Sequence, residues 1–141
     1  MNVDSIRIQK LGLTGIDHPA LAADDPENLA DWYCDVLGYR KYFSNDKPVF
    51  ILRAPDGSLL EVMPKDETVR LERTTWTPGW SHLALRVENL DEAIAYLDQQ
   101  KVVWGGEVIE AIGGGLLRTF QDPEGNMLQI VERTGYSDKT K

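Results

Sequence analysis

The chain contains two histidines, His18 and His82, and each lies in a stretch whose apolar residues alternate as in a β-strand. Each histidine is followed seven residues later by a residue that favours a helix N-cap, Asp25 or Asn89. Imidazole serves proteins as a metal ligand and as an acid or base. A single histidine on a strand is more often structural, but two at equivalent positions predict a duplicated module with a shared metal site.

A second pair of matching segments lies near the end of each half. The segment 55–62 (PDGSLLEV) aligns without a gap with 123–130 (PEGNMLQI), just as 18–25 aligns with 82–89. Two ungapped matches in the same order indicate a genuine internal repeat. One half has little core of its own, so we expect the two halves to pack on each other.

The alignment pairs the two polar residues Glu61 and Gln129, each set among apolar neighbours. If two sheets curve around one cavity, His18, Glu61, His82 and Gln129 can converge there. Two imidazoles, a carboxylate and an amide oxygen suit a divalent transition metal. The sequence therefore predicts one divalent metal ion per site: Zn, Ni, Fe, Co or Mn. Gln129 stays ambiguous between a weak ligand and a residue that hydrogen-bonds a ligand.

The local patterns predict an α+β fold of two tandem β-α-β-β-β modules. The first helix is predicted to begin after Asp25, with proline at its first position, and to end at Gly38. The second helix is predicted to begin after Asn89. Strands are predicted at 13–22, 40–43, 49–53, 58–63, 82–87, 101–104, 106–109, 116–121 and 126–132. Modules 11–64 and 80–133, joined by linker 65–79, would form a single domain over residues 1–141.

Composition excludes several classes of function. The formal net charge of −8 argues against non-specific nucleic-acid binding, which needs a basic surface. No apolar run approaches the roughly 18 residues of a membrane span, and the first ten residues lack the apolar region of a signal peptide. Cys34 is the single cysteine, so no intrachain disulfide can form. We therefore expect a cytoplasmic protein without a nucleic-acid or membrane partner.

Four segments carry a resemblance to a known family: 15–18 (GIDH), 32–38 (WYCDVLG), 81–87 (SHLALRV) and 122–130 (DPEGNMLQI). With them the chain resembles the vicinal oxygen chelate superfamily, which includes glyoxalase I, methylmalonyl-CoA epimerase, extradiol dioxygenases, and fosfomycin and bleomycin resistance proteins. The resemblance implies that the paired modules form an incomplete, glyoxalase-like barrel around a metal in a cavity. In many members the site is completed across a subunit interface, so it also implies a homodimer.

The family's metal positions fall on His18, Glu61, His82 and Gln129. Glyoxalase I has glutamate where this chain has Gln129, and an amide cannot serve as a general base. Glu61 stands at the symmetry-related position, so the resemblance assigns the catalytic proton transfer to Glu61. The donor set looks like that of the epimerase with its two halves exchanged.

These features favour a metal-dependent glyoxalase-like lyase or isomerase that acts by proton transfer on a small substrate with vicinal oxygens. One alternative is a metal-free protein that binds a small molecule such as an antibiotic, against which the two retained histidines count. Another is an Fe(II) extradiol-type dioxygenase with two histidines and Glu61 on iron. Candidate substrate contacts are Arg86 and Arg118, which could anchor an anion or be surface residues, and Trp104, which could line a pocket or pack between modules.

Overall fold

The computed structural model describes residues 11–133, so the predicted lead-in 1–10 and tail 134–141 lie outside it. The first module contains one helix and four strands: β1 (Ala20–Ala23), α1 (Pro26–Leu37), β2 (Arg40–Ser44), β3 (Phe50–Arg53) and β4 (Leu59–Pro64). The second module repeats this order with one additional short strand: β5 (Leu83–Arg86), α2 (Leu90–Gln99), β6 (Val103–Trp104), β7 (Ile109–Glu110), β8 (Leu116–Gln121) and β9 (Met127–Glu132).

Both helices begin where the capping residues predict. The Asp25 carboxylate accepts a hydrogen bond from the Asn28 N–H at 3.1 Å, and the Asn89 side chain accepts one from the Glu92 N–H at 2.9 Å. Gly38 ends α1 in the left-handed conformation, at φ 82°, which costs glycine little because it has no Cβ. Local capping chemistry therefore fixes the limits of α1 and the start of α2.

Each module forms its own open sheet. The first has the strand order β1-β4-β3-β2, and the second has β5-β9-β8-β6, with the short β7 also paired to β8. In both sheets the first and last strands of the module pair in parallel, and the other pairs are antiparallel. The predicted α+β class, with tandem β-α-β-β-β units and unclosed sheets, is confirmed.

The first strand is shorter than predicted. It begins at Ala20 rather than at residue 13, because Pro19 has no N–H to donate to a ladder. Pairing still reaches Pro19, whose carbonyl oxygen accepts a hydrogen bond from the Glu61 N–H at 3.0 Å. β1 lies at the edge of its sheet, as the proline predicts.

The buried core lies on the helix side of both sheets. Alternate residues of the two last strands, Leu60 and Val62 in β4 and Leu128 and Ile130 in β9, belong to one hydrophobic cluster with residues of α1 and α2. The positions between them point to the opposite face, because side chains alternate along a strand. The two modules therefore pack on each other through their helix sides, as expected for halves with little core of their own.

Polar contacts reinforce this packing between modules. The Tyr33 hydroxyl of α1 donates to the buried Asp122 carboxylate at 2.8 Å. The Glu124 carboxylate accepts from the backbone N–H groups of Asp24 and Asp25 at 2.7 and 3.0 Å. In this way the turn between β8 and β9 is tied to the start of α1. Within residues 11–133, no helix is long and apolar enough to cross a membrane.

Candidate metal centre

The first half of the candidate site joins His18 to Glu61. Parallel pairing of β1 with β4 sets Ala20 opposite Glu61. His18 lies two residues before Ala20 and its side chain reaches the same face. The His18 Nε2 and Glu61 Oε2 atoms are 3.0 Å apart, and about a third of the histidine side chain and a quarter of the glutamate side chain remain exposed. The structure thus brings together two residues 43 positions apart in the sequence, as the repeat predicts.

Asp17 orients this histidine from its other nitrogen. The Asp17 Oδ2 atom lies 2.7 Å from His18 Nδ1. The pKa of His18 is raised above its ordinary value, most strongly by this hydrogen bond and also by Glu61. A carboxylate behind a histidine fixes the ring and leaves Nε2 as the ligand atom, as is common in metal sites. Sequence reasoning did not single out Asp17, although it directly precedes the histidine.

The second half of the candidate site is built at the equivalent positions. Parallel pairing of β5 with β9 sets Ala84 opposite Gln129, and His82 lies two residues before Ala84. Gln129 is buried, and its amide nitrogen donates to the Thr119 hydroxyl at 3.3 Å. Strand alternation places His82 and Gln129 on one face of this sheet.

Ser81 defines which nitrogen of His82 can bind a metal. The Ser81 hydroxyl donates its one hydrogen to the Thr75 carbonyl oxygen at 2.9 Å. It also lies 2.9 Å from His82 Nδ1, toward which it can then only accept. Nδ1 of a neutral His82 therefore carries the proton, and the lone pair is on Nε2. Asp17 and Ser81 thus hold their histidines in the same way, each from the preceding residue.

The donor atoms fit a divalent metal. Nitrogen and oxygen ligands at about 2.0–2.2 Å from one ion lie roughly 3 Å apart when they occupy neighbouring positions. The 3.0 Å separation of His18 Nε2 and Glu61 Oε2 matches that spacing. Two imidazole nitrogens with a carboxylate and an amide oxygen form a donor set that Zn, Ni, Fe, Co and Mn accept.

The two halves do not meet in one copy of the described chain. Among residues 11–133, no group of three or more His, Cys, Asp or Glu side chains is placed to hold a metal ion. A cavity of about 440 Å³ opens on the Gln129 face, and its lining comes from the linker and the second module, with no residue from the first. His18 and Glu61 therefore lie on a different surface from Gln129.

The predicted substrate contacts lie in two places. Trp104 and Arg118 form a stacked pair on the helix side of the second sheet, where the Arg118 guanidinium lies 4.1 Å from the Trp104 ring centre. The Arg118 Nε donates to the Gly106 carbonyl oxygen at 2.8 Å. Arg86 is paired with Val131, and Ala84 with Gln129. Because these two pairs are two residues apart along the strands, Arg86 lies on the same face of the sheet as Gln129.

The sequence matches the model of a known family. The family model described as Glyoxalase/Bleomycin resistance protein/Dioxygenase superfamily matches residues 15–130, and the chain belongs to that family. A relative in Escherichia coli strain K12, the uncharacterized protein YaeR, is 27% identical over 134 residues, which cover 87% of this chain and 99% of YaeR.

Solved structures share the fold. Lactoylglutathione lyase from Agrobacterium tumefaciens superposes with a TM-score of 0.65 at 19% identity, over 85% of this chain and 94% of that one. A mutant of the fosfomycin resistance protein FosX from Listeria monocytogenes superposes with a TM-score of 0.69 at 18% identity, over 87% of this chain and 93% of that one. The FosX structure is a complex with Mn(II) and 1S,2S-dihydroxypropylphosphonic acid.

Proposed function

We propose that this protein is a cytoplasmic, metal-dependent lyase or isomerase of the glyoxalase type, acting by proton transfer on a small substrate with vicinal oxygens. The observation that carries the proposal is the pair formed by His18 and Glu61 at 3.0 Å, oriented by Asp17. It supplies two adjacent ligand atoms and a carboxylate. The metal in the related FosX structure and the lyase among the fold relatives support the same assignment.

We further propose that each metal site is shared between two copies of the chain. The faces that carry Glu61 and Gln129 both point away from the common core. The first module of one copy can therefore face the second module of another copy. Apolar side chains beside both histidines are exposed, Ile16 at 91% and Trp80 at 97%. Exposed apolar groups of this size next to a polar site are typical of a contact surface.

The chemistry proposed for the site is asymmetric. A bound divalent metal would supply a Lewis acid that polarises two neighbouring oxygens of the substrate. The Glu61 carboxylate then takes a proton from the carbon next to the carbonyl and returns it to the neighbouring carbon or to the opposite face. Gln129 cannot accept that proton, because an amide is not basic. Arg86, on the Gln129 face, is the proposed contact for a substrate oxygen, and the stacked Trp104 and Arg118 would support the cavity wall at Gly106.

Mixing two inactive variants tests the shared site. His18→Ala and His82→Ala should each bind no divalent metal as homodimers, by calorimetric titration with Zn(II) or Mn(II). After unfolding and joint refolding, half of the dimers should be mixed, each with one intact site, so that about a quarter of the wild-type metal capacity returns. His18→Ala mixed with Glu61→Ala is the matched control, because both changes lie in the same half-site.

Three results separate the alternatives. Metal capacity restored only in the first mixture supports the shared site. No recovery in either mixture, with a metal-binding wild type, would show that one chain builds its own site. A wild type that takes up no metal would overturn the enzyme proposal and leave a metal-free binding protein.

A further inference from the structure

The cavity beside Gln129 has a mixed lining of apolar and neutral polar residues, with one charged residue. Trp76, Ile109 and Met127 supply apolar surface, and threonine and glutamine side chains supply hydrogen-bonding groups. Among the described residues that line it, none is lysine or arginine, and the one charged residue is Glu107. A ligand group that enters this cavity therefore meets no lysine or arginine in the lining. The one carboxylate there, that of Glu107, is 91% exposed and lies 3.7 Å from the Arg118 guanidinium, so it repels an anion only weakly.

Arg118, on the adjacent strand β8, does not point into this cavity. Arg118 is paired with the buried Ile130, whereas its neighbour Thr119 is paired with Gln129 and lines the cavity. The guanidinium is held on the far face by Trp104 and by the Gly106 carbonyl oxygen, and it lies 3.7 Å from the Glu107 carboxylate. Its side chain is 16% exposed, so these contacts leave little of it open to a ligand.

The Trp76 side chain is exposed at the cavity rim, and its backbone is held by the linker. Its backbone N–H donates to the Thr74 hydroxyl at 3.2 Å. The neighbouring Thr75 hydroxyl donates to the Met127 sulfur at 3.2 Å, which ties this loop to β9. The Arg73 guanidinium donates to three carbonyl oxygens of the same loop, those of Thr77, Pro78 and Trp80. The Trp76 indole is 89% exposed at the cavity rim and offers an aromatic surface that a ligand can contact.

We propose that the substrate carries an uncharged apolar or aromatic group next to its vicinal oxygens, and that this cavity binds the group with Trp76 as one wall. This inference rests on the proposed function, because Gln129 links the cavity to the metal site. Trp76 and Glu107 are then residues that determine specificity: the first favours apolar groups and the second disfavours anions. The acidic net charge of −8 acts in the same direction.

Three hydroxamates that chelate through the same two oxygens test this specificity on the Zn(II)-loaded protein. Binding of acetohydroxamate, benzohydroxamate and 4-carboxybenzohydroxamate is measured by calorimetry and by tryptophan fluorescence. Benzohydroxamate should bind about tenfold more tightly than acetohydroxamate, as a well-placed aromatic contact allows. It should also bind about threefold more tightly than the carboxylated probe, because the exposed Glu107 carboxylate disfavours an anion weakly.

Variants assign the effects to single residues. Trp76→Ala should remove the advantage of benzohydroxamate, and Trp76→Phe should restore most of it, with acetohydroxamate binding unchanged in both. Glu107→Lys should strengthen binding of the carboxylated probe about tenfold. Leu71→Ala is the matched control, because Leu71 is an exposed apolar residue of the same linker that does not line the cavity.

The outcomes distinguish the inference from the proposed function. Failure of acetohydroxamate to bind would overturn the proposed metal site and the inference with it. Normal acetohydroxamate binding without a preference for the phenyl group would overturn the inference alone. The inference would also fail if Trp76→Ala weakened dimer formation, measured by analytical ultracentrifugation, and left benzohydroxamate binding intact.

Discussion

The two half-sites occupy equivalent places in the two modules but differ in chemistry. In the first module the histidine lies between two carboxylates, Asp17 and Glu61, and is partly exposed. In the second module His82 is held by a hydroxyl, and the polar partner on β9 is the buried amide of Gln129. The negative charge and the basic group are thus confined to one half.

This difference shows how a duplicated module can separate two tasks. Both halves keep an imidazole with Nδ1 occupied by the preceding residue, which is what metal binding needs. The first half also keeps a carboxylate that can exchange a proton, whereas the second half opens onto a cavity whose lining has no lysine or arginine. Metal binding would depend on both halves, proton transfer on the first, and substrate selection on the second.

The sharpest test of this division is Glu61→Gln. We expect loss of proton transfer by a factor of about 10²–10⁴, because the amide cannot act as a base. Deuterium exchange at the carbon next to the carbonyl of hydroxyacetone, followed by NMR in D₂O on metal-loaded protein, measures it. Gln129→Ala is the comparison in the other half and, at saturating metal, should lose less of the exchange, because it removes a candidate metal ligand but no base. Equal losses in the two variants would remove the asymmetry.

Substitutions of the two residues that hydrogen-bond the histidines should have a smaller effect, and that effect should appear in the metal affinity. Asp17→Ala should weaken Zn(II) binding about 10–100-fold, the usual effect of removing a carboxylate that supports a ligand. Ser81→Ala should weaken it less, because a neutral hydroxyl orients His82 through a weaker hydrogen bond. Competition with a chelator of known affinity gives both values. A larger loss for Ser81→Ala would reverse our ranking of the two halves.

The contact that joins the modules should affect stability. Tyr33→Phe removes the hydrogen bond to the buried Asp122 carboxylate and should lower the free energy of unfolding by about 2 kcal/mol. Urea denaturation at pH 7 measures this change. Phe is the matched replacement because it keeps the buried ring. A loss below about 0.5 kcal/mol would mean that the other partners of Asp122 satisfy it fully.

The same tyrosine predicts a dependence on alkaline pH. Burial, and next the nearby Asp122 charge, raise the pKa of Tyr33 above its ordinary value of 10.0 in the folded protein. Above that pH the unfolded chain releases the phenolic proton while the folded protein retains it, so stability falls as pH rises. The difference in the free energy of unfolding between wild type and Tyr33→Phe should therefore disappear between about pH 10 and pH 12. If the free energies of unfolding of the two proteins stayed a constant distance apart across that range, the raised pKa of Tyr33 would be contradicted.

Local signals predicted most of the fold, and the repeat predicted one of the two residue pairs of the candidate site, His18 with Glu61. The caps at Asp25 and Asn89 act within one helical turn, so both helix starts are readable. The pairing of His18 with Glu61 followed from matching strand positions. Asp17 and Ser81 were not singled out, because neighbours on a strand point to opposite faces. Both precede their strands, where the chain is free to turn the preceding side chain toward the histidine.

The relative placement of the modules could not be predicted from the sequence. The ladders within each sheet would be the same whether one chain or two chains built the proposed metal site. The choice depends on contacts such as the one between Tyr33 and Asp122, which join residues 89 positions apart and leave no local pattern. Likewise, whether Arg118 can anchor an anionic substrate depends on which face of β8 its side chain occupies. That face follows from the packing of the sheet and leaves no local pattern in the sequence.

The carboxylate of Glu124 has a consequence for cooperativity. It belongs to the second module, yet it satisfies two backbone N–H groups at the start of the helix in the first. The first module, cut from the second, would keep its own cap at Asp25 but would leave these two N–H groups without their carboxylate partner. The two repeats are therefore expected to melt together, in one calorimetric transition whose van't Hoff and calorimetric enthalpies agree.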